Sequence, residues 1–148
     1  MPTKERVFSK AERDAVAATA RERKAASSVS PEAERAEGLK TLQDALAKMP
    51  ADDRAMGERL HELISKAAPA LVPGTYYGMP SYRTEGKNGK TIGWYKPKSK
   101  FKVRYSTVGF QPDAKLDDGE MWPTEFAVIK LTPAVEARIV ELIRKAAG

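Results

Sequence analysis

The spacing of apolar residues along the chain changes at Pro73-Gly74. On the N-terminal side, apolar residues recur every three or four positions, as they do on one face of a helix. Ser30 followed by Pro31 predicts a helix start, because Ser caps free N–H groups and Pro suits the first turn. Pro50 ends this helix or opens the next one, and Pro69 stops the helical pattern. The two predicted apolar faces consist of Leu39, Leu42, Leu46 and Met49, and of Met56, Leu60, Leu63, Ile64 and Ala67.

Pro73-Gly74 is predicted to form a turn. Beyond it the apolar period becomes two, which is typical of strands. Asn88-Gly89 is a strong hairpin signal and predicts that residues 80–85 and 91–96 pair. Residues 126–129 are expected to form a more central strand, and Thr132 followed by Pro133 predicts a C-terminal helix. Another strand is expected where Phe101, Val103 and Tyr105 alternate with Lys102, Arg104 and Ser106. The predicted fold class is therefore α+β, with an antiparallel sheet packed against helices on one face and wet on the other.

The N-terminal part of the chain is far more polar than the rest. Ser9 and Glu12 form a capping-box pattern, and the helix that follows is expected to run to about Ala26. Its one large apolar residue is Val16, so this helix has little with which to dock. We therefore expect residues 1–37 to be an N-terminal helical arm, peripheral or partly mobile, and residues 38–148 to be the α+β domain.

Composition excludes several classes of protein. The chain has 148 residues, which fits one domain, and it contains no cysteine, so disulfides, thiolate nucleophiles and cysteine-based metal sites are excluded. Residues 1–7 are charged and lack the apolar core of a signal peptide. No apolar run approaches the length that spans a bilayer. We therefore expect a cytoplasmic protein without a membrane partner.

Positive charge is concentrated in one segment. The chain has a formal net charge of +6, and residues 75–110 carry eight basic side chains and one acid, a net +7. Such a segment attracts anions such as phosphates, and nearby aromatic rings would stack on bases, which makes a non-specific nucleic-acid binding module one hypothesis. The alternative is a solvated sheet edge on which lysines discourage aggregation. The period-two pattern places Phe101 and Tyr105 opposite Lys102 and Arg104, which favours the alternative for those rings.

Two short segments, Tyr76–Tyr82 and Gly119–Phe126, combine aromatic residues with Gly, Met and Pro. Gly and Pro fix the backbone while aromatic rings supply apolar area, so such segments are typical of a shaped corner or a pocket rim. The alternative is that the rings fill space between helices and sheet. We expect an anionic ligand, small molecule or polyanion, at this corner. The candidate ligand-binding residues are Tyr77, Met79, Tyr82, Arg83, Trp94, Lys96, Arg104 and Trp122.

Catalytic and phosphate-loop motifs are not found. Gly86–Thr91 lacks both the spacing of a phosphate-binding loop and a following helix. His61 is the only histidine, and a lone helix-surface histidine is the favoured interpretation, because a Glu-x-x-His metal site needs a partner. The acidic loop that contains Asp113, Asp117, Asp118 and Glu120 is interpreted as a turn. Without an acid–base pair in opposed environments, we expect a non-enzymatic protein without catalytic residues or a cofactor.

Four short motifs carry a resemblance to a known family: Ala67-Ala68-Pro69, Tyr77–Pro80, Lys100–Val103 and Trp122-Pro123-Thr124. Together they resemble the YdhG-like family, small bacterial domains whose biochemical role is mostly unknown, from about Leu39 to Ala147. The resemblance implies a curved antiparallel sheet covered by helices. The family includes a frataxin-like iron chaperone, so iron is an alternative cofactor, with Asp117, Asp118 and Glu120 as alternative ligands. The basic sheet of this chain departs from that acidic pattern.

Overall fold

The computed structural model describes residues 10–26 and 30–148, and the side chains of residues 10–18 and 30–148. Ser9, the predicted cap of the first helix, lies outside the described residues. The helices are α1 (Lys10–Ala26), α2 (Pro31–Ala47), α3 (Ala51–Ala67), the four-residue α4 (Lys98–Phe101) and α5 (Pro133–Ala147). The strands are β1 (Val72–Tyr76), β2 (Met79–Arg83), β3 (Thr91–Lys96), β4 (Ser106–Phe110) and β5 (Glu125–Val128).

The five strands form one antiparallel sheet in the order β1-β2-β3-β4-β5, so each strand pairs with its neighbour in the chain. The prediction of an α+β fold with an antiparallel sheet is confirmed. Both predicted helix caps are also confirmed. The Ser30 hydroxyl accepts a hydrogen bond from Ala33 N–H, and the Thr132 hydroxyl accepts one from Val135 N–H, each at 3.3 Å.

The core lies between the helices and one face of the sheet. Leu42 of α2, Leu60 of α3 and Ile143 of α5 are almost completely buried there against Tyr95 and Val108 of the central strands. Because Trp94 and Gly109 alternate with these core residues, they lie on the opposite face of the sheet. That opposite face is called the open face below.

Helix α2 approaches the sheet closely along the edge strand β1. A β-carbon at Gly38 would lie 2.0 Å from the carbonyl oxygen of Pro73, so only glycine permits this contact. The N-terminal half of α2 also docks, since Glu34 is buried and Arg35 donates hydrogen bonds to the carbonyls of Ala70 and Leu71. The predicted boundary between residues 37 and 38 thus falls inside α2. This helix contacts the sheet both before and after that boundary. The division into an arm and a domain stays a prediction.

The strand expected at 101–105 is wrong. Residues 98–101 form α4, Lys102 has a left-handed backbone with φ of 53°, and β4 begins only at Ser106. The carboxylate of Asp53 accepts a hydrogen bond from Ser99 N–H at 3.1 Å, which holds the first turn of α4. A contact from a distant helix therefore overrides the alternating pattern of this segment.

The turn predicted at Pro73-Gly74 is wrong, because both residues lie inside β1, an edge strand, where a proline is tolerated. Two expectations about strands also need correction. The strand predicted at 126–129 was expected to be central, but β5 lies at the edge of the sheet. Ile129 follows β5 and is 70% exposed. The hairpin of β2 and β3 is confirmed, but its loop spans residues 84–90. Asn88-Gly89 lies in a turn closed by a hydrogen bond from Gly89 N–H to the Gly86 carbonyl, so it is not a two-residue loop.

Candidate anion-binding sites

The sheet has two ends at which different loops meet. The turn at Tyr77-Gly78, residues 97–105 and residues 129–132 lie at one end, which we call the YGMP end. The loops 84–90 and 111–124 lie at the other end, which we call the Asn88 end. The predicted ligand-binding residues are divided between these ends and the two faces of the sheet.

The turn at the YGMP end is a two-residue hairpin loop. Tyr76 pairs with Met79, while Tyr77 and Gly78 have φ of 50° and 79°. Positive φ at both positions is the mark of a type I′ turn, in which a non-glycine residue such as Tyr77 is uncommon. The Lys100 ammonium lies close to this turn, because a β-carbon at Gly78 would be 2.7 Å from it. The loop that contains α4 therefore packs beside the YGMP turn.

An ion cluster with one buried member ties α3 to α4 at the same end. The Lys98 ammonium lies 2.6 Å from Asp52 Oδ2 and 2.7 Å from Asp53 Oδ1. Asp53 is only 1% exposed, and its backbone carbonyl accepts a hydrogen bond from the Tyr95 hydroxyl at 2.9 Å. Burial raises the pKa of Tyr95 to about 12, so this hydroxyl stays protonated. Lys98, which has two carboxylate partners, is therefore a structural residue.

The ion cluster also sets the charge states of its members. Burial acts to raise the pKa of Asp53, but hydrogen bonds from Lys98 and Ser99 outweigh it and hold the pKa below its ordinary value. The hydrogen bond from Lys98 likewise lowers the pKa of Asp52, and the two carboxylates raise the pKa of Lys98. All three groups are therefore charged at neutral pH.

A cavity of about 420 Å³ opens beside this cluster, between α3, α4, the start of α5 and residues 104–106 and 128–131. Its carboxylates are Asp52, Asp53 and Glu136, and each has a cationic partner. Glu136 receives two hydrogen bonds from the Arg59 guanidinium, at 2.7 and 2.9 Å, and these lower the pKa of Glu136. Because Lys98 is shared by Asp52 and Asp53, these ion pairs leave one negative charge on the wall.

Two cations of the cavity wall have no such partner. Among the described residues, no carboxylate lies within ion-pair distance of Arg104 or Lys130. The Arg104 guanidinium lies 5.1 Å from the centroid of the Tyr105 ring, which orients it without neutralising its charge. Met56 and Leu131 add apolar area to the same wall. The cavity thus combines apolar contact with excess positive charge.

Four of the predicted ligand-binding residues lie at or near the YGMP end, namely Tyr77, Met79, Lys96 and Arg104. Tyr77 is partly exposed and Met79 is buried. The Lys96 ammonium lies 4.8 Å from the centroid of the Phe101 ring. Of these four residues only Arg104 lines the cavity.

Arg83 and Tyr82 have structural partners elsewhere. Arg83 forms an ion pair with the buried carboxylate of Glu34, towards the Asn88 end. Tyr82 is 4% exposed and stacks on His61, with its hydroxyl 2.7 Å from His61 Nδ1. Burial raises the pKa of Tyr82 and lowers the pKa of His61, so the tyrosine hydroxyl donates to a neutral imidazole. His61 lies on α3 as expected and remains partly exposed, but this contact covers part of its ring.

The two tryptophans have different surroundings. Trp94 belongs to the open face, where its indole N–H donates to Gln111 Oε1 at 3.0 Å. Trp122 belongs to the loop 111–124 and packs against the core. The structure therefore does not gather the eight predicted residues around one pocket.

The alternative metal ligands Asp117, Asp118 and Glu120 are exposed in the loop 111–124. Within residues 10–18 and 30–148, no group of three or more His, Asp or Glu side chains is arranged to hold a metal ion. The iron hypothesis stays a prediction.

Sequence reasoning did not find Lys130, Arg59 or Met56 as cavity residues. Lys130 follows β5 and precedes the cap of α5, and its place at a strand end is the one available signal. Arg59 and Met56 lie one turn apart on α3. In the sequence they are indistinguishable from other polar and apolar positions of a helix.

Comparisons with protein-family models, with curated proteins and with solved structures give no match to this chain. In the part of the chain that the structure describes, no helix has the length and apolar character needed to cross a membrane.

Proposed function

We propose that this protein binds a small anionic ligand in the cavity at the YGMP end. The observation that carries the proposal is that Arg104 and Lys130 have no carboxylate partner among the described residues, while each carboxylate of the cavity wall has a cationic partner. A cation without a partner in a concave, partly apolar site is favourably placed to receive an anion. This retains the predicted anionic ligand and Arg104, and it replaces the other predicted residues by Lys130 and the walls of the cavity.

The shape of the cavity favours an anion with an apolar body. A volume of about 420 Å³ exceeds that of a bare inorganic ion and lies within the usual range of small-molecule sites. Met56 and Leu131 would contact the body of the ligand, and Arg104 would pair with its carboxylate or phosphate in a two-pronged hydrogen bond. Phenyl phosphate has both parts and is a suitable probe.

The proposed function is binding rather than catalysis. The ionisable groups around the cavity are held in ion pairs, which stabilises one protonation state of each. We also propose, from the four shared motifs, that the chain belongs to the YdhG-like family. One of these motifs, YGMP, includes a tight turn beside the loop that contains Lys100.

The proposal is tested by titrating the full chain with phenyl phosphate and following amide NMR shifts. We expect shifts at residues 98–106 and 128–136, and at least about tenfold weaker binding in Arg104→Gln, since a hydrogen bond to a charged group contributes about 1.5–3 kcal/mol. Lys66→Gln removes the same charge from an exposed site on α3 and serves as the matched control. Equal affinity in Arg104→Gln and Lys66→Gln would contradict the proposal.

A further inference from the structure

The two edges of the sheet differ in what covers them. The edge strand β1 contacts α1 and α2, and it contains Pro73. The edge strand β5 pairs with β4 on one side, and its residues Glu125 and Ala127 are exposed. Glu125 is the only charged side chain of β5, so this strand lacks the lysines and prolines that commonly protect a sheet edge. We therefore expect β5 to be the edge that another strand can reach.

One hydrogen bond identifies the pairing pattern of β4 and β5. Phe110 N–H donates to the Thr124 carbonyl at 2.8 Å, so these two opposed residues form a hydrogen-bonded pair. Such pairs occur at every second position of an antiparallel ladder. Phe126 and Val128 therefore also turn their N–H and C=O groups towards β4.

The other residues of β5 turn their backbone groups outward. The N–H and C=O groups of Glu125 and Ala127 point away from β4, and Ile129, where the chain bends, is next in the alternation. Within residues 10–26 and 30–148, no backbone hydrogen bond uses these outward groups. The edge thus presents unpaired donors and acceptors in the order that a further strand requires.

Exposed apolar side chains lie near both ends of β5. Met121, shortly before the strand, is 88% exposed, and Ile129, directly after it, is 70% exposed. They are the most exposed large apolar residues in the part of the chain that the structure describes. Together with the unpaired backbone, they indicate an interaction surface at this edge.

We propose that β5 pairs with β5 of a second copy of this chain, antiparallel and about a two-fold axis at Ala127. Opposed residues of an antiparallel pair share a face of the sheet, so the axis of two identical strands passes through a residue that lies opposite itself. That residue must be one whose backbone points outward. An axis at Glu125 would place two carboxylates opposite each other. An axis at Ile129 would place Glu125 opposite Pro133, which has no N–H and begins α5.

The register about Ala127 makes the edge complementary to itself. The small Ala127 side chains of the two copies meet at the axis. Glu125 lies opposite Ile129 of the second copy, so like charges do not meet, and Phe126 lies opposite Val128, an aromatic and β-branched pair. The three outward residues of each copy form about six hydrogen bonds, two for each opposed pair. This self-complementarity favours a second copy over a strand of another protein, because pairing of one patch with itself is the commonest form of assembly.

The first test is sedimentation equilibrium of the full chain without phenyl phosphate, because the inference does not depend on a ligand in the cavity. About six hydrogen bonds are fewer than the roughly ten of a typical interface, so we expect a weak dimer with a Kd between about 10 µM and about 1 mM. A chain that stays monomeric at about 1 mM would overturn the inference and leave the edge to a strand of another protein. Growth beyond a dimer would also overturn it, since two-fold pairing is closed.

Opposite charges at position 129 test the register. Ile129→Lys places a cation opposite Glu125 of the second copy, whereas Ile129→Glu places a like charge there. Both variants lose the same apolar side chain from an exposed position, so both should fold. At about 0.15 M salt, where distant charges are screened, the Kd of Ile129→Glu should be at least about fourfold higher than that of Ile129→Lys. Equal Kd values for the two variants would overturn the inference.

A proline at the axis tests the backbone pairing. Ala127→Pro removes an N–H that has no partner in the monomer, which an edge strand tolerates. Its Kd should be at least about fivefold higher than that of Ala127→Ser, the matched control that keeps the N–H, because two hydrogen bonds of the dimer are lost. Equal Kd values of folded Ala127→Pro and Ala127→Ser would overturn the inference. If Ala127→Pro does not fold, the comparison at position 129 decides the matter.

Discussion

Arg83 and Arg104 belong to the same basic segment, yet they lie at opposite ends of the sheet and have different partners. Arg83 pairs with the buried carboxylate of Glu34, which the N-terminal half of α2 brings to the sheet. Arg104 is exposed, stacks on Tyr105 and has no carboxylate partner among the described residues. One arginine holds the fold together, and the other is available to a ligand.

The difference shows that a net charge of +7 over one segment is not a binding site by itself. Lys98 is paired with two carboxylates, Asp52 and Asp53, and Arg83 is paired with one, Glu34. The positive charge that remains is set by carboxylates that come from distant helices. The cations without partners, not the number of basic residues, locate the candidate site.

The largest expected effect follows from removing Arg83. Arg83→Ala leaves the Glu34 carboxylate buried without its cation, which should lower the free energy of unfolding by about 3 kcal/mol. Arg104→Ala should change it by less than about 0.5 kcal/mol, because that side chain is exposed and has no ion pair. Urea unfolding of both variants measures the contrast, and equal losses of stability would break the distinction between the two arginines.

Asp53→Asn should lower the free energy of unfolding by about 2 kcal/mol at neutral pH, since its hydrogen bonds to Lys98 and Ser99 lose their charge. The folded-state pKa of Asp53 is depressed, so its contribution is present above the ordinary value of 3.8 and is lost as the pH falls through the folded pKa. The difference between the parent and the variant should therefore shrink on acidification. Urea unfolding near pH 7 and near pH 3 tests this, and a difference independent of pH would contradict it.

Replacing Arg104 by Lys sharpens the picture of the cavity. Arg104→Lys keeps the charge but loses the planar fork that pairs with a carboxylate or phosphate, so phenyl phosphate should bind about threefold more weakly. This loss is smaller than the loss expected for Arg104→Gln. Calorimetric titration of the two variants gives the order of their affinities. If Arg104→Lys binds phenyl phosphate no better than Arg104→Gln, the positive charge at position 104 does not contribute to binding, which contradicts the account.

The smallest effect is expected on the open face. Gln111→Leu removes the acceptor of the Trp94 N–H, which should cost about 1 kcal/mol of unfolding free energy or less, because water reaches the partly exposed ring. Trp94 should also become more mobile, which fluorescence anisotropy would report in a Trp122→Phe background, which leaves one tryptophan in the chain. Unchanged anisotropy would mean that contact with Gly109 alone holds the ring.

Local sequence patterns predicted those parts of the fold that depend on neighbouring residues. The caps at Ser30 and Thr132 and the break at Pro50 correspond to features of the structure. The turn predicted at Pro73-Gly74 does not, because both residues lie within the edge strand β1. The segment 101–105 was mispredicted, because α4 depends on Asp53, which lies more than forty positions away along the chain. The edge position of β5 likewise depends on strand order, which its apolar composition does not encode.

The candidate site was predictable only in part. The basic segment and Arg104 are visible in the sequence. The YGMP segment, expected to be a shaped corner or a pocket rim, forms a two-residue turn. The partners of Arg83, Lys98 and Tyr82 are not visible, because each comes from another helix. Lys130 could not be assigned without knowing that the end of β5 lies beside α3 and α4.

The most direct test of the account is an amide NMR titration of the full chain with phenyl phosphate, read at both ends of the sheet. The account predicts shifts at residues 98–106 and 128–136 that largely disappear in Arg104→Gln, and no shifts at residues 83–90. Shifts of equal size at both ends would mean that ion pairing does not decide which cations bind. Shifts confined to the Asn88 end would contradict the account.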